Sequence, residues 1–494
     1  MGFKTDREFL RNITVGAIGT RQVAKLLNAA GFRIIELERT AISNKLWMTK
    51  IKRLRVPDLL CLHSGTRIES RAKGTLKVTM SHAIKNADRA WDKGLRDKDL
   101  VAFIKCYDQD GHWEPADTVC LFRVSDMRAT QDVAGLSQMK SAAEGNEIQL
   151  TWPSTIPKQA GHVEAIEPDK IKTVLASGRR QSYKLISKKK GGVKCILTPY
   201  VNVGDVFVGD EQVIASVMPE LVELAAPDCD QYDFIADLEE DDHETVYAAS
   251  KALGYLPELK SQSEQPLRTV MNDDSNPLLQ LEAASALARL GINDGWDGIA
   301  SAAKSDRDDV KMEAVLILGE LPGQKPLGMM KEIAANTSSP SELRAACAWA
   351  MGEHSYDLLQ TPLLDLIADD DEDVATHAIV SASRLITDDN IADVLAQIGD
   401  NAKKSAGIAR SVVLSSSNPV PIIVNAIENT DGASRNWLIY LLARLGIQKS
   451  EAYVRDNANH LLSELDFFWK YHEENWTNRL DVADQLDFLT AQYL

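Results

Sequence analysis

The chain has 494 residues, of which 44% are hydrophobic and 26% charged, and its formal net charge is −17. This length exceeds what one hydrophobic core usually serves, so about three domains are expected. The sequence contains no run of about 18 or more apolar residues, which excludes a hydrophobic membrane-spanning helix, and we expect no membrane contact.

The N-terminus and the cysteines indicate the compartment. The opening stretch "MGFKTDREFL" lacks the apolar core of a signal peptide. The six cysteines are scattered and form no CxxC pair, and the nine histidines show no HExxH spacing. This usage is typical of reduced, buried thiols and argues against a dedicated zinc site. We therefore expect a cytoplasmic protein.

The charge is unevenly distributed along the chain. Residues 1–110 carry a formal charge of +10, residues 111–230 carry −3, and residues 231–494 carry −24. A basic first part is suited to contact phosphates, whereas an acidic last part would repel them. The acidic surface has a second interpretation, which is that it keeps a helical array in solution.

The first 130 residues show an order of helix and strand patterns. A helix is predicted within 19–32 ("GTRQVAKLLNAAGF"), followed by a strand at 33–38 and a basic loop. Two strands, "PDLLCLH" and "TRIESRAK", form a predicted hairpin through Ser64 and Gly65. A helix is predicted over 81–95, and the strands "DLVAFIKCY" and "DTVCLFRVSD" complete the order α-β-β-β-α-β-β.

The hairpin carries charged residues in a pattern that suits a metal site. Because residues two apart in a strand share a face, Glu69, Arg71 and Lys73 are predicted to line one face of the second strand. A tight turn would bring Asp58, which follows Pro57 at the start of the first strand, close to Glu69. Two converging carboxylates can bind Mg²⁺ or Mn²⁺, and such a metal activates water and neutralises charge on a phosphate.

This order of elements, with Pro57-Asp58 and then Glu69-Ser70-Arg71, resembles the PD-(D/E)XK nuclease superfamily. The resemblance implies an α/β restriction-endonuclease-like domain over 1–130, with Asp58 and Glu69 as metal ligands. In that family a lysine two residues after the Glu positions or activates the water, but position 71 is Arg here. Arg stays protonated, so Arg71 is assigned to holding phosphate and Lys73 takes the lysine role.

A second departure from the family pattern concerns the first helix. It has Gln22 where many family members carry an additional acid, so that ligand is either absent or supplied by Glu8 or Glu36. The polar residues Ser81, His82 and Asn86 follow the motif strand and are candidates for the edge of the site, with a helix cap as the other interpretation of His82. Basic residues of the same part are expected to give salt-sensitive, sequence-tolerant DNA binding: Lys50, Lys52, Arg53, Arg55, Arg67, Lys77 and Lys85.

Residues 131–228 have a β pattern. Alternating β-branched residues, several prolines and Gly-Asp turns at 204–205 and 209–210 predict short strands. The run "VNVGDVFVGDEQVIASV" is similar to the rhythm of barrel-sandwich β modules. No Met-Lys-Met carrier sequence is present. We therefore predict a small all-β domain without an attached lipoyl or biotinyl group.

From residue 229 the pattern becomes helical and repeats itself. Ala-rich segments recur at offsets of roughly 30–35 residues, the length of a two-helix repeat. They lie at 244–256, 278–291, 308–321, 341–354, 372–386, 405–417 and 433–446. They resemble HEAT repeats, which implies an α-solenoid over 229–450 that binds a protein partner or associates with itself. Residues 451–494, with Phe467, Phe468, Trp469, Tyr471 and Trp476, are predicted to form a helical cap.

Three functions are compatible with this sequence. The first is a Mg²⁺-dependent DNA endonuclease with a solenoid for partner binding, acting in defence against foreign DNA or in repair. The second is a non-catalytic nucleic-acid-binding adaptor with a degenerate nuclease fold. The third is a protein-interaction scaffold. Cleavage of plasmid DNA with Mg²⁺, and its loss in Glu69→Ala, distinguishes the first from the others.

Overall fold

The structure is a computed structural model. It describes residues 7–37, 49, 54–74, 78–83, 86, 90–109, 112–142, 145–152, 161–167, 170–184, 186–189, 192–195, 206–208, 212–213, 231–273, 276–466 and 469. The chain divides into two compact units. The sheet unit comprises Asn12–Ile42 and Lys52–Gly298, and the repeat unit comprises Met1–Arg11, Ser43–Ile51 and Ile299–Leu494.

The first part of the chain forms a mixed five-stranded sheet and two helices. The elements are α1 (Arg7–Ala29), β1 (Ile34–Glu36), β2 (Leu59–Cys61), β3 (Arg67–Lys73), β4 (Thr79–His82), β5 (Leu100–Gln109), β6 (His112–Arg123) and α2 (Val124–Ala129). The sheet has the order β1-β2-β3-β5-β6. Strand β3 is parallel to β5, and the other neighbouring strands are antiparallel. The predicted strands of this part are present, and the hairpin β2–β3 is formed as expected.

Helix α1 packs on one face of this central sheet. A Cβ atom at Gly19 would lie 2.5 Å from Cβ of Ala72 and 2.9 Å from Cγ2 of Ile104, so the helix backbone rests directly on β3 and β5. The core on this face includes Val23 and Leu27 of the helix. Ile68, Ala72, Ala102 and Ile104 therefore face α1. The alternate residues Glu69, Arg71, Val101 and Phe103 face the opposite side.

The helix predicted over 81–95 is wrong. Ser81 and His82 belong to strand β4, and residues 91–94 form a turn. Alternation places Val78 and Met80 in the core, and β4 pairs with the distant strand β9 (Gly145–Thr151). This pairing satisfies the backbone groups that a helix would have satisfied internally. The structure does not describe residues 84–85 and 87–89.

The β region that follows shares a sheet and a core with the first part. Its other strands are β7 (Gly135–Leu136), β8 (Lys140–Ala142), β10 (Gly161–Glu167), β11 (Lys170–Leu175), β12 (Arg180–Lys184), β13 (Ile186–Lys189), β14 (Gly192–Cys195), β15 (Val206–Val208) and β16 (Gln212–Val213). Five of them form an antiparallel sheet in the order β12-β11-β10-β15-β16. Ile148, Leu150 and Trp152 pack with Phe103 and Phe122 of the central sheet in one hydrophobic cluster.

The segments 1–130 and 131–228 are thus joined by this common cluster and by the β4–β9 pair. Most of the run similar to barrel-sandwich modules lies outside the described residues, so that part of the prediction stays a prediction.

The sheet unit also contains the first two pairs of repeat helices. These helices are α3 (His243–Gly254), α4 (Lys260–Met271), α5 (Pro277–Arg289) and most of α6 (Asn293–Ala302). Leu37, Leu60 and Leu62 of the sheet region share a core with Val246 and Tyr247 of α3. The first repeat helices are therefore integrated with the strands that carry the predicted site.

The repeat unit continues with paired helices. They are α7 (Asp308–Leu318), α8 (Gln324–Ala335), α9 (Ser341–Met351), α10 (Leu363–Leu366), α11 (Glu372–Leu385), α12 (Ile391–Leu395), α13 (Ala402–Leu414), α14 (Val420–Glu428), α15 (Gly432–Arg444) and α16 (Ile447–Asn457). Each of the seven predicted repeat segments contains one helix. An acidic turn opens α11, since Asp371 caps this helix by accepting hydrogen bonds from the N–H groups of Asp373 and Val374.

The end of the chain is described only in part. Helix α16 spans the predicted boundary at residue 450, and Trp469 is buried. Phe467, Phe468, Tyr471 and Trp476 lie outside the residues whose side chains are described. Among the described residues, none of the helices combines the length and apolar character needed to cross a membrane.

Candidate active site

Asp58 and Glu69 occupy opposing positions on neighbouring strands. In the β2–β3 ladder Leu59 pairs with Ile68 and Leu60 with Arg67. Continuing this antiparallel register by one residue sets Asp58 opposite Glu69, and directly opposed residues share a face of the sheet. That face is the one turned away from α1, because Ile68 packs in the α1 core while Glu69 aligns with Val101 in the other cluster.

The Asp58 carboxylate is tied to the strand that bears Glu69. Its Oδ2 accepts a 2.7 Å hydrogen bond from the backbone N–H of Ser70. The backbone carbonyl of Asp58 accepts a 2.8 Å hydrogen bond from Leu37 N–H, which extends the β1–β2 ladder. The backbone of Asp58 is therefore held by β1 and its side chain by β3, which limits the range of positions the carboxylate oxygens can take.

Glu69 forms an ion pair with Arg71 on the same strand face. The contact joins Nη2 of Arg71 to Oε1 of Glu69, and the side chains are 37% and 16% exposed, respectively. Arg71 also donates a 3.3 Å hydrogen bond from Nη1 to the carbonyl of Ser70. The guanidinium thus occupies one oxygen of the carboxylate that is predicted to bind metal.

Lys73 lies on the same face, two residues beyond Arg71. Burial lowers the pKa of its ammonium, and the positive charge of Arg71 lowers it further. A lysine with a lowered pKa is more readily neutral near physiological pH. The neutral amine is the form of lysine that accepts a proton. This environment suits the role that the sequence assigned to Lys73.

A further lysine, Lys105, was not singled out from the sequence. It stands beside Lys73 in the parallel β3–β5 register, so the two side chains share a face. Its Nζ lies 4.8 Å from the centre of the Tyr107 ring. The alternation in "DLVAFIKCY" places Lys105 on a strand but does not reveal which neighbouring strand it adjoins.

The predicted phosphate-binding cations have different environments. Arg55 is exposed and remains a candidate. Arg67 is only 2% exposed, and its guanidinium donates to the carbonyl of Gly94 at 2.9 Å and to Oγ1 of Thr245 at 2.8 Å. The guanidinium of Arg67 is therefore buried and hydrogen-bonded inside the sheet unit, and it is not exposed for binding a nucleic acid. The other five candidates, Lys50, Lys52, Arg53, Lys77 and Lys85, lie outside the described residues.

The polar residues that follow the motif strand belong to another sheet. Ser81 is exposed and His82 pairs with Ile148, both within β4. The interpretation of His82 as a helix cap is wrong, because the residue lies in a strand. Asn86 is exposed beyond the end of β4.

The oxygen donors of Asp58 and Glu69 suit a hard divalent cation. Carboxylate oxygens are the ligands that Mg²⁺ and Mn²⁺ prefer, and Mg²⁺ usually keeps several waters, so one or two carboxylates suffice. Asp58 and Glu69 provide such a pair on one face. Within the described part of the chain, no group of three or more His, Cys, Asp or Glu side chains is arranged to hold a metal. The donor atoms of the site therefore suit Mg²⁺ or Mn²⁺. The guanidinium of Arg71 would compete with the metal for the carboxylate of Glu69.

Comparisons with known proteins found similarity only among solved structures. No protein-family model matches the chain, and no curated protein matches its sequence. Among solved structures, the complex of CpcE and CpcF of phycocyanin lyase from Nostoc sp. PCC7120 covers 49% of this chain and 97% of its own, at 18% identity and a TM-score of 0.25.

Two other solved structures match this chain at similarly low identity and TM-score. A designed armadillo repeat protein in complex with the peptide (KR)4 covers 43% of this chain and 98% of its own, at 12% identity and a TM-score of 0.23. Kap121p bound to Pho4p covers 50% of this chain and 26% of its own, at 15% identity and a TM-score of 0.22. The C-terminal helices resemble repeats of the HEAT and armadillo kind.

Proposed function

We propose that the sheet unit is a metal-dependent endodeoxyribonuclease of the restriction-endonuclease-like kind. The observation that carries this proposal is the position of Asp58 opposite Glu69 on one face of the sheet, with Lys73 beyond them. The mixed sheet also supports it, because the resemblance to PD-(D/E)XK nucleases implies a mixed sheet. The described residues of 81–95 form no helix, which is a departure from that pattern.

In this proposal Asp58 and Glu69 hold Mg²⁺ or Mn²⁺. The metal, when bound, would lower the pKa of a coordinated water and offset the charge on the scissile phosphate. Lys73, in its neutral form, accepts a proton from the attacking water. Arg71 moves from Glu69 to a phosphate oxygen when substrate arrives, since guanidinium binds phosphate in a bidentate manner.

The helical repeats are proposed to bind a protein partner. Stacked repeats present a long continuous surface, and residues 231–494 carry a formal charge of −24. This charge favours a basic protein surface over a second polyanion. Self-association through the basic first part of another copy is the alternative mode.

A second candidate function is a non-catalytic adaptor, which binds nucleic acid and assembles a complex through the repeats. The Glu69–Arg71 ion pair favours it, because a guanidinium resident on the carboxylate resists metal binding. In this case the basic groups on the face of Lys73 and Lys105 contact the phosphates without cleavage.

The experiment that separates the two candidates uses the full-length protein with plasmid DNA. Cleavage is measured with Mg²⁺, with Mn²⁺ and with EDTA, in parallel with filter binding at low salt. Metal-dependent cleavage that disappears in Glu69→Gln and persists in Glu114→Gln, an exposed carboxylate on β6, supports the nuclease. Binding without cleavage supports the adaptor, and the absence of both leaves the repeat scaffold.

A further inference from the structure

The turn that joins β2 to β3 is held by a segment distant in sequence, residues 231–237. Gln231 donates from Nε2 to the carbonyl of Leu62 at 2.5 Å, and the N–H of Tyr232 donates to the carbonyl of His63 at 2.9 Å. The Tyr232 ring lies against Gly65, where a Cβ atom would be 2.5 Å from the ring. Gly65 has a φ of 64°, so glycine is required there for both conformation and space.

Arg96 connects the same turn to the Tyr232 side chain. Its Nη2 donates to the carbonyl of Gly65, and its Nη1 donates to the Tyr232 hydroxyl at 2.9 Å. The hydroxyl in turn donates to Oδ1 of Asp237 at 3.1 Å. Burial raises the pKa of Tyr232, so the hydroxyl stays protonated and keeps its role as a donor to Asp237.

A buried carboxylate links this network to the strand that carries Glu69. The side chain of Asp99 is 0% exposed. It accepts a hydrogen bond from Arg67 N–H at 3.0 Å through Oδ1 and from Arg96 N–H at 2.6 Å through Oδ2. Arg67 is the first residue of β3, two positions before Glu69. The turn and both adjoining strand ends are therefore fixed by one continuous set of hydrogen bonds.

We propose that Tyr232 is a positioning residue for the candidate active site, acting through Arg96 and the β2–β3 turn to hold Asp58 opposite Glu69. This inference rests on the proposed function. The physical reason is that a metal site demands ligand distances within a few tenths of an ångström, and a small displacement of a reacting group costs a large factor in rate. Tyr232 contacts neither the Asp58 carboxylate nor the Glu69 carboxylate, so it acts on them only through the hairpin backbone.

The test compares two tyrosine variants that each remove one hydroxyl. Tyr232→Phe deletes the hydrogen bonds to Arg96 and Asp237 while keeping the ring on Gly65. Tyr356→Phe is the matched control, because its hydroxyl donates to the carbonyl of Gly323 within the repeat unit. The measurements are Mn²⁺ binding by calorimetry and Mn²⁺-dependent plasmid cleavage, with circular dichroism to confirm folding.

We expect Tyr232→Phe to raise the half-saturating Mn²⁺ concentration about fivefold and to lower the cleavage rate about tenfold, with partial rescue at high Mn²⁺. A residue that only stabilises the fold would lower the melting temperature and leave the Mn²⁺ requirement of the folded protein unchanged. Tyr356→Phe should match the parent protein in both measurements. Should Tyr232→Phe fail to fold, Asp237→Ala removes the acceptor alone and should shift the Mn²⁺ requirement in the same direction.

The outcomes separate this inference from the function on which it rests. If the parent protein binds Mn²⁺ and cleaves DNA, and Tyr232→Phe does so with the same Mn²⁺ affinity and the same rate, the positioning role is overturned. The proposed nuclease function is then unaffected. A parent protein that neither binds Mn²⁺ nor cleaves DNA would overturn the proposed nuclease and the positioning role together.

Discussion

The carboxylate of Asp58 accepts a hydrogen bond from the backbone N–H of Ser70, the residue next to Glu69, at 2.7 Å. This bond crosses between two strands and fixes the acid beside its partner. An amide oxygen can accept the same hydrogen bond, which makes Asp58→Asn an informative change. The variant should preserve the hairpin while removing the negative charge.

We predict that Asp58→Asn weakens Mn²⁺ binding by about tenfold or more, because a charged oxygen ligand is lost from a site with few ligands. Isothermal calorimetry or electron paramagnetic resonance measures this affinity. Glu114→Gln removes an exposed carboxylate from the same sheet and serves as the control. Equal Mn²⁺ affinity in Asp58→Asn and the parent protein would show that Asp58 is not a ligand.

Arg71→Ala should change metal and nucleic-acid affinity in opposite directions. Without the guanidinium, Glu69 has one competitor fewer, so Mn²⁺ affinity should rise by about threefold. Binding of DNA in EDTA should weaken, and its salt dependence should decrease by the equivalent of about one phosphate contact. The comparison variant is Arg180→Ala, whose side chain is 79% exposed on β12. A decrease in Mn²⁺ affinity in Arg71→Ala would contradict the competition.

The pH dependence of cleavage should report Lys73. Its pKa is lowered by burial and by Arg71, and only the neutral amine accepts a proton, so the rate should rise with pH through this pKa. Replacing Arg71 with Met removes a neighbouring positive charge, which raises the pKa of Lys73 and moves the rise to higher pH. Single-turnover rates at saturating Mg²⁺ measure the profile. If the cleavage rate of Lys73→Met rises with pH over the same range as that of the parent protein, the rise belongs to a group other than Lys73.

Two glycines of helix α1 offer a matched test of its packing. A Cβ at Gly19 would lie 2.5 Å from the Ala72 side chain, so Gly19→Ala should destabilise the sheet unit by about 1–3 kcal/mol. Among the described residues, no atom beyond the helix's own nearby backbone and the two chain neighbours lies within 4 Å of a Cβ at Gly16. Gly16→Ala should therefore stabilise by about 0.5–1 kcal/mol, because alanine favours the helix. Denaturant unfolding checks both signs. Similar effects of the two changes would exclude close packing of α1 on β3.

His377 in helix α11 should make the repeat unit sensitive to acid. The residue is 1% exposed, and burial lowers its pKa from 6.5 to about 3, with a smaller contribution from Arg384. Between these values the unfolded chain binds a proton that the folded chain excludes, so stability falls as pH falls. From pH 6.5 to about pH 5 the loss should be roughly 2 kcal/mol.

Denaturant midpoints across this pH range measure the effect of His377. His377→Gln should flatten the pH dependence, whereas His460→Gln, which changes a more exposed histidine, is the control. An equal slope in His377→Gln and the parent protein would show that other groups govern the acid sensitivity.

The parts of this structure that follow from local pattern were predictable. Alternation and the Ser64-Gly65 turn were enough to place the β2–β3 hairpin, and recurring Ala-rich segments placed the helices of the repeats. The helix predicted over 81–95 was wrong because β4 finds its partner more than 60 residues later, at β9, which no local pattern reveals.

The candidate site was predictable only in part. The shared face of Glu69, Arg71 and Lys73 follows from the two-residue period of a strand. The burial of Arg67 does not, because its partners, Gly94 and Thr245, are brought to it by tertiary structure. The Glu69–Arg71 ion pair is compatible with the spacing, but the same spacing also allows Arg71 to face solvent.

The cluster shared by Phe103, Phe122, Ile148 and Leu150 limits how this chain can be divided. A fragment that stops near residue 130 would leave β4 without β9 and would expose the aromatic side chains that β9 covers. Such a fragment would tend to aggregate and would give misleadingly negative assays. Genetic exchange of residues 1–130 between related chains would therefore have to carry the following β strands, and the first repeat helices, with it.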